Sequence, residues 1–217
     1  MTEACIFDMD GVLVDNGAHH RAAWQALLDE LAERPAEPEY WRLTIGRPAE
    51  EAVPLVLGRP VTPVEASQMA RRKRDLYFGL VRQGLQAIPG AFAFVEDLSR
   101  RGISRAVATS ATSFDAERLL VEVGIRRFFS VIVTAEDVRK GKPDPEVYLA
   151  AARRLGKPAS SCLVFEDSLV GVQAARRAGM RAIGVTTAHS EAELREAGAE
   201  SAIRNFQRVT WGSLVRR

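Results

Sequence analysis

Apolar residues along the chain form short continuous runs, and segments with helical periodicity lie between them. The first run covers residues 4–7, and others lie at 105–109, 130–134, 162–165 and 181–185. From about residue 90 onward the runs alternate with amphipathic segments. This alternation predicts a parallel sheet with helices on both faces.

The pattern changes between residues 15 and 83. Strand signals vanish, and predicted helices at 20–33 and 65–81 are separated by repeated prolines. Because this segment begins after the first strand, the sequence predicts one α/β domain, residues 1–14 and 84–217, interrupted by a small α-helical cap domain, residues 15–83. The expected fold class is therefore α/β, with a Rossmann-like parallel-sheet core and an inserted helical cap.

Composition narrows the range of partners. Of 217 residues, 47% are hydrophobic and 27% charged, which is typical of a soluble globular protein, and the net charge of +2 does not favour nucleic-acid binding. The basic run at 71–74 is interpreted as a solvated helix face. Because the chain has no long apolar stretch, we expect no membrane partner. Cys5 and Cys162 lie inside strand-like runs, which favours free buried thiols and a cytoplasmic location. We also expect a monomer or weak dimer.

Two carboxylates follow the first strand, in the stretch Phe7-Asp8-Met9-Asp10-Gly11. Residues two apart on an extended chain face the same way, so Asp8 and Asp10 should project together at the carboxyl end of a parallel strand, where open α/β sheets bind ligands. Paired carboxylates repel each other unless a cation or a shared proton neutralises them, and oxygen ligands suit Mg2+. An ordinary Asp-Gly turn is the alternative.

Two later strands also end in polar residues. Glu166 and Asp167 precede a predicted helix that Ser168 is better placed to cap, which leaves the two acids as the remaining candidate metal ligands. Thr109 and Ser110 end another strand, where a hydroxyl and free backbone N–H groups can hold phosphate oxygens, although a simple turn is the commoner meaning of such a pair.

A lysine in a proline-restricted loop completes the set. Lys142 lies in Lys140-Gly141-Lys142-Pro143-Asp144-Pro145, ahead of a helix predicted to start near Pro145. A lysine held there can supply a fixed positive charge to a phosphate and to Asp8. A surface lysine in a polar loop is the alternative, and the joint occurrence of the four segments favours catalysis.

In order and over nearly the whole chain, these segments resemble the four motifs of the haloacid dehalogenase superfamily. Together they resemble the subgroup that contains β-phosphoglucomutase and small sugar-phosphate phosphatases, whose members carry a helical cap. The resemblance is carried by Asp8-Met9-Asp10-Gly11-Val12-Leu13, by Thr109, by Lys142 in Gly-Lys-Pro-Asp-Pro, and by Glu166-Asp167-Ser168 followed by Gly171.

The resemblance implies a Mg2+-dependent phosphatase for a small phosphorylated metabolite, such as a sugar or polyol phosphate. Asp8 would be the nucleophile that becomes an aspartyl-phosphate, and Asp10 the acid that protonates the leaving oxygen and later activates the acceptor. Asp8, Asp167, the backbone carbonyl of Asp10 and, directly or through water, Glu166 would hold the metal. The residues that would bind the transferring phosphoryl group are Thr109, Ser110 and Lys142.

The cap residues leave the choice of acceptor open. His20 and Lys73 resemble cap positions of β-phosphoglucomutase, which makes a phosphosugar mutase the alternative function. The mutase cap loop reads Gly-x-Ser-Arg, however, whereas this chain has Gly46-Arg47-Pro48-Ala49. Arg47 is interpreted either as a grip for a second anionic group or as an exposed loop charge. The predicted substrate-binding residues of the cap are His20, Gly46, Arg47 and Lys73.

Three other functions are less favoured. A dehalogenase would normally lack an acid at Asp10, because no alkoxide leaving group needs a proton. A phosphonatase would need a cap lysine that forms a Schiff base, and Lys73 matches that position poorly. A binding module that has lost activity is disfavoured because all four motifs are intact.

Overall fold

The computed structural model describes residues 2–82 and 84–215. Its strands are β1 (Ala4–Phe7), β2 (Val14–Asp15), β3 (Gln86–Ala87), β4 (Ser104–Ala108), β5 (Val131–Val133), β6 (Cys162–Glu166), β7 (Arg181–Val185) and β8 (Ser201–Ile203). Its α-helices are α1 (Gly17–Leu31), α2 (Ala49–Leu57), α3 (Pro63–Val81), α4 (Ala91–Arg100), α5 (Ser113–Glu122), α6 (Glu146–Leu155), α7 (Leu169–Arg177), α8 (Glu191–Glu196) and α9 (Trp211–Val215).

Six parallel strands form the main sheet, in the order β5-β4-β1-β6-β7-β8. Strand β1 lies inside the sheet, and its side chains alternate between two buried apolar clusters. Cys5 and Phe7 belong to the cluster on one face, and Ala4 and Ile6 to the cluster on the other. Burial on both faces explains why β1 is a continuous apolar run and confirms the predicted α/β class.

The inserted segment packs around a cluster of its own. Trp24 from α1, Val53 from α2 and Met69 from α3 are buried in it. The segment leaves the core and returns through an antiparallel ribbon of β2 and β3, in which Val14 pairs with Ala87. The domain ranges stay a prediction, and their limits at residues 1, 83 and 217 lie outside the described residues.

Several local predictions are confirmed, and others are corrected. Ser168 caps α7 through a hydrogen bond from the Gly171 N–H at 3.0 Å, and both cysteines are buried free thiols. Pro54, one of the prolines between the two predicted cap helices, does not break a helix but lies inside α2. The sequence patterns missed β8 and the β2–β3 ribbon, because strands of two or three residues carry too few positions to show alternation.

Within residues 2–82 and 84–215, no helix is both long and apolar enough to cross a membrane.

Candidate active site

The carboxyl ends of three neighbouring strands bring the predicted motifs together. Because β1 lies between β4 and β6, Asp8, Thr109 and Glu166 meet at one edge of the sheet. The hydrogen-bonding pattern of the sheet continues past two strand ends, since the Asp8 N–H donates to Phe165 O at 3.0 Å and the Thr109 N–H donates to Val133 O at 2.9 Å. These backbone bonds fix where both side chains begin.

Lys142 joins two of the predicted acids. Its Nζ donates to Asp8 Oδ1 and to Glu166 Oε1, both at 2.6 Å, and the side chain is 1% exposed. Burial alone would lower the pKa of Lys142, but the two carboxylates raise it well above its usual value. The lysine is therefore a fixed cation beside the predicted nucleophile.

Glu166 is held by donors on both of its oxygens. Oε1 accepts from Lys142 and from the Tyr148 hydroxyl at 2.9 Å, and Oε2 accepts from the Ser168 N–H at 2.7 Å and from its hydroxyl at 2.8 Å. A carboxylate has about four acceptor positions, and these bonds occupy that number. The geometry favours Glu166 as the residue that aims Lys142, and its predicted ligation of a metal stays a prediction.

A buried acidic cluster offers a fit for a divalent cation. Asp8, Glu166 and Asp167 each present a carboxylate oxygen, and these oxygens lie within 4.8 Å of one another. Burial raises the pKa of Asp8 to about 7 and that of Asp167 well above its usual value, and the neighbouring acids add to both shifts. The oxygen-only donor set and this unbalanced negative charge suit Mg2+.

The Asp10 side chain turns toward the inserted helices rather than into the acidic cluster. Its Oδ1 accepts from Asn16 Nδ2 at 2.5 Å and lies 3.7 Å from His20 Nε2. Burial would raise the pKa of Asp10, but His20 and Asn16 lower it below its usual value. The arrangement leaves the Asp10 backbone carbonyl, not its carboxylate, as the predicted metal ligand.

Two residues of α3 extend this network. Asn16 Nδ2 also donates to the Tyr77 hydroxyl at 2.8 Å, and the Tyr77 ring stacks on His20 with centroids 4.3 Å apart. Lys73 Nζ lies 2.6 Å from His20 Nδ1; since an ammonium only donates, Nδ1 accepts and the proton of a neutral ring sits on Nε2, toward Asp10. Sequence analysis gave Asn16 and Tyr77 no role in this network.

Lys73 is buried, although the basic run that contains it was predicted to be a solvated face. Its neighbours Arg71 and Arg72 are exposed, but Lys73 is 7% exposed. The ammonium lies over the rings of Trp24 and Tyr77, 5.4 Å and 5.3 Å from their centroids. Burial lowers its pKa to about 8.

The predicted phosphate-binding residues meet the cap loop. The Thr109 hydroxyl oxygen accepts from the Ala111 N–H at 3.1 Å, which leaves the hydroxyl proton available to a ligand. The Ser110 hydroxyl donates to Gly46 O at 2.9 Å, so the loop at Gly46 lies directly over the strand ends. Arg47 is half-buried, and its guanidinium makes no hydrogen bond or ion pair with the rest of the described chain.

Sequence analysis also missed a loop behind Asp167. The Thr187 hydroxyl contacts Asp167 Oδ2 at 3.2 Å, and His189 Nδ1 lies 2.9 Å from the Asp167 backbone oxygen. The only signal was their position in the loop after a β-strand, which many residues without a function share.

A family model and several known proteins match this chain. A family model described as haloacid dehalogenase-like hydrolase matches residues 2–179. Fructose-1-phosphate phosphatase YqaB of Escherichia coli (strain K12) is 32% identical over 180 residues, covering 83% of this chain and 94% of that protein. A β-phosphoglucomutase of Mycobacterium bovis is 34% identical over 231 residues, covering 91% of this chain and 87% of that one.

A third relative is longer than this chain. The chloroplastic 5-amino-6-(5-phospho-D-ribitylamino)uracil phosphatase of Arabidopsis thaliana is 32% identical over 206 residues, and the match spans 94% of this chain but 55% of that protein.

Two solved structures share the whole architecture. A hydrolase from Pseudomonas syringae superimposes with a TM-score of 0.87 at 30% identity, covering 95% of each chain. CbbY from Rhodobacter sphaeroides, solved in complex with xylulose-(1,5)bisphosphate, gives a TM-score of 0.81 at 28% identity, covering 96% of each chain.

Proposed function

The chain belongs to the haloacid dehalogenase-like hydrolase family, and on this premise we propose that it is a Mg2+-dependent phosphatase that hydrolyses a small sugar or polyol phosphate through an aspartyl-phosphate on Asp8. The observation that carries the proposal is the contact of Asp8 Oδ1 with Lys142 Nζ at 2.6 Å, beside the buried oxygens of Glu166 and Asp167.

In the first half-reaction, the Asp8 carboxylate attacks phosphorus and the ester P–O bond breaks. Lys142 is held against Asp8 by Glu166, so its charge is in place before a phosphate arrives and needs no reorganisation. The Thr109 hydroxyl and the Ser110 N–H would bind phosphate oxygens, because neither donates to a protein acceptor within the described residues. The leaving alkoxide takes a proton from Asp10, which has to be protonated when the substrate is bound, since His20 and Asn16 lower its pKa in the free protein.

In the second half-reaction, the Asp10 carboxylate takes a proton from water while that water attacks phosphorus. The bond from phosphorus to Asp8 breaks, which releases inorganic phosphate and restores both acids. Asn16 and His20 contact the Asp10 carboxylate and can hold it in one orientation through both steps.

Asp8, Asp167 and the Asp10 carbonyl would hold the metal, with Glu166 beside them. When bound, Mg2+ would screen the charge of Asp8 from that of the phosphate, two anions that otherwise repel each other.

The inserted helices are proposed to act as a cap that selects the substrate and limits the entry of water. Support comes from the Ser110–Gly46 hydrogen bond, which brings the cap loop onto the strand ends. A sugar or polyol phosphate is favoured because the relatives are named for phosphates of fructose and of a ribityl group. His20, Lys73 and the unpaired Arg47 are the proposed cap contacts with the substrate.

The test is turnover of an aryl phosphate and of a panel of sugar and polyol phosphates, with and without Mg2+. We expect Mg2+-dependent release of phosphate from the wild type and none from Asp8→Asn. Undiminished release from Asp8→Asn, or no release from the wild type on any member of the panel, would remove the proposal.

A phosphosugar mutase is the second candidate, favoured by the Lys73–His20 contact at 2.6 Å and by the β-phosphoglucomutase relative. Incubation with β-glucose 1-phosphate and a trace of glucose 1,6-bisphosphate separates the two functions. We expect free phosphate to dominate, and glucose 6-phosphate as the main product would establish the mutase instead.

A further inference from the structure

The loop after β7, residues 186–190, contacts both halves of the proposed metal site. Thr187 is exposed as a residue, but its hydroxyl lies inward, 2.7 Å from Gly11 O and 3.2 Å from Asp167 Oδ2. Because one hydroxyl carries one proton, Thr187 donates to one of these oxygens at a time while remaining within reach of both. No other described side chain donates to the Asp167 carboxylate.

The Thr187 hydroxyl contacts the turn after β1 at Gly11, the residue that follows Asp10. Gly11 has φ +72°, its N–H donates to Val14 O at 2.9 Å, and its carbonyl accepts from Thr187. The Gly11 N–H belongs to the peptide that carries the Asp10 carbonyl, and the Gly11 carbonyl belongs to the next peptide, so the two bonds fix the peptides on both sides of the Gly11 Cα. A Cβ on Gly11 would lie 2.0 Å from Asp167 Oδ2, so the two segments are already in contact.

His189 holds the same acid from its main-chain side. The ring is 6% exposed, and its Nδ1 lies 2.9 Å from the Asp167 carbonyl oxygen, which can only accept, so Nδ1–H donates. The side chain and the backbone of Asp167 are therefore both tied to the loop after β7.

We propose that Thr187 is a positioning residue of the metal site, which through Gly11 directs the Asp10 carbonyl and through Oδ2 fixes the orientation of the Asp167 carboxylate. This inference rests on the proposed Mg2+ site. Groups that orient metal ligands without touching the metal typically change its affinity by about 10- to 100-fold. Because Thr187 is exposed and solvent can replace part of its hydrogen bonding, we expect the lower end of that range.

The experiment measures Mg2+ binding to the metal-free full chain by isothermal titration calorimetry. Thr187→Val should raise the dissociation constant about tenfold, and Thr187→Ser, which keeps the hydroxyl, should bind as the wild type does. The matched control is Thr186→Val, since the adjacent Thr186 hydroxyl faces Ile203 O at 3.4 Å, away from the acids. The Mg2+ concentration for half-maximal turnover should shift with the dissociation constant, while kcat at saturating Mg2+ changes little.

Thr187→Ala separates the loss of the hydroxyl from crowding by the valine methyl group. Weakened binding in both Thr187→Val and Thr187→Ala supports the inference. Wild-type binding in Thr187→Ala, or equal binding in Thr187→Val and Thr186→Val, overturns it. If the wild type itself binds no Mg2+, the proposed metal site fails first, which is a distinguishable result.

Discussion

Asn16 Nδ2 lies 2.5 Å from Asp10 Oδ1, and the same amide nitrogen donates to the Tyr77 hydroxyl at 2.8 Å. Asn16 is fully buried and its bond to Tyr77 is enclosed, whereas the Asp10 side chain is 33% exposed. The two hydrogens of one amide group therefore join the proposed acid of the core to helix α3 of the cap. With the amide reversed, its oxygen would face the Asp10 carboxylate and repel it, which fixes the orientation.

Replacing Asn16 should disorder the Asp10 side chain. We expect Asn16→Leu, which keeps the approximate volume, to lower kcat about 10- to 100-fold with a smaller change in KM, because misplacement of a catalytic group by about 1 Å can cost that much. Steady-state kinetics with a thermal-unfolding control checks this. In an Asp10→Asn background the further loss should nearly vanish, and additive losses would contradict the role.

The hydroxyl of Tyr77 offers a milder test of the same connection. Tyr77→Phe removes the acceptor of the second amide hydrogen but keeps the ring that stacks on His20. We expect a decrease in kcat of a few-fold, since one neutral hydrogen bond contributes about 1 kcal/mol. The control is Tyr40→Phe, whose hydroxyl bonds to Gln25 inside the cap at 3.2 Å. Equal effects of the two substitutions would argue against the connection to Asp10.

The sequence could predict that the strand-end residues lie close together, because each of them follows its own apolar run. Asp8, Thr109 and Glu166 needed only the strands to be recognised, since parallel strands bring their carboxyl ends to one edge. It could not predict the partners of Asp10 in the same way. Tyr77 lies 61 positions from Asn16, and their contact depends on how α3 packs against the turn after β1.

The burial of individual polar side chains was also not predictable from the sequence. Lys73 stands among arginines in a polar run, and only the packing of α3 against Trp24 shows that its ammonium is enclosed. Thr187 and His189 illustrate the same limit, because their inward hydrogen bonds follow from a loop geometry that single residue types do not encode. Features that depend on one strand or helix were predictable, and those that depend on two distant segments were not.

Lys142 should contribute to stability as well as to turnover. Lys142→Met leaves the buried carboxylates of Asp8 and Glu166 without their cation, and breaking a buried pair in this way costs about 3–5 kcal/mol. Urea unfolding at pH 8 in a chelating buffer measures the loss. The exposed neighbour Lys140 provides the control Lys140→Met, and similar unfolding midpoints for the two variants would show that the buried pairs contribute little.

An ion pair at the surface connects the cap to α8. Arg42, in the 3-10 helix Tyr40–Thr44, pairs with Glu193 of α8. Because exposed ion pairs contribute at most about 1 kcal/mol, Arg42→Gln should lower kcat/KM no more than about fivefold. Added salt should lower kcat/KM of the wild type toward the value of the variant. Arg59→Gln breaks ion pairs that lie wholly within the cap and should leave kcat/KM unchanged. Identical salt dependence in wild type and Arg42→Gln would rule out a role for this pair.

The buried ammonium of Lys73 should lower the stability of the folded protein at neutral pH. Burial lowers its pKa from 10.5 to about 8, so the folded state loses the proton before the unfolded state does. The buried charge lowers the free energy of unfolding by about 3 kcal/mol below pH 8. This decrease shrinks by about 1.4 kcal/mol per pH unit as the pH rises and is gone above pH 10.5. Lys73→Met should therefore unfold at a higher urea concentration than the wild type at pH 7, although loss of the His20 contact reduces this gain in stability. The difference in unfolding free energy between the two proteins should fall between pH 8 and 10. Its turnover should drop, because the His20 ring loses the donor at Nδ1. A difference in unfolding free energy that does not change between pH 8 and 10 would mean that burial does not lower the pKa of Lys73 in the folded protein.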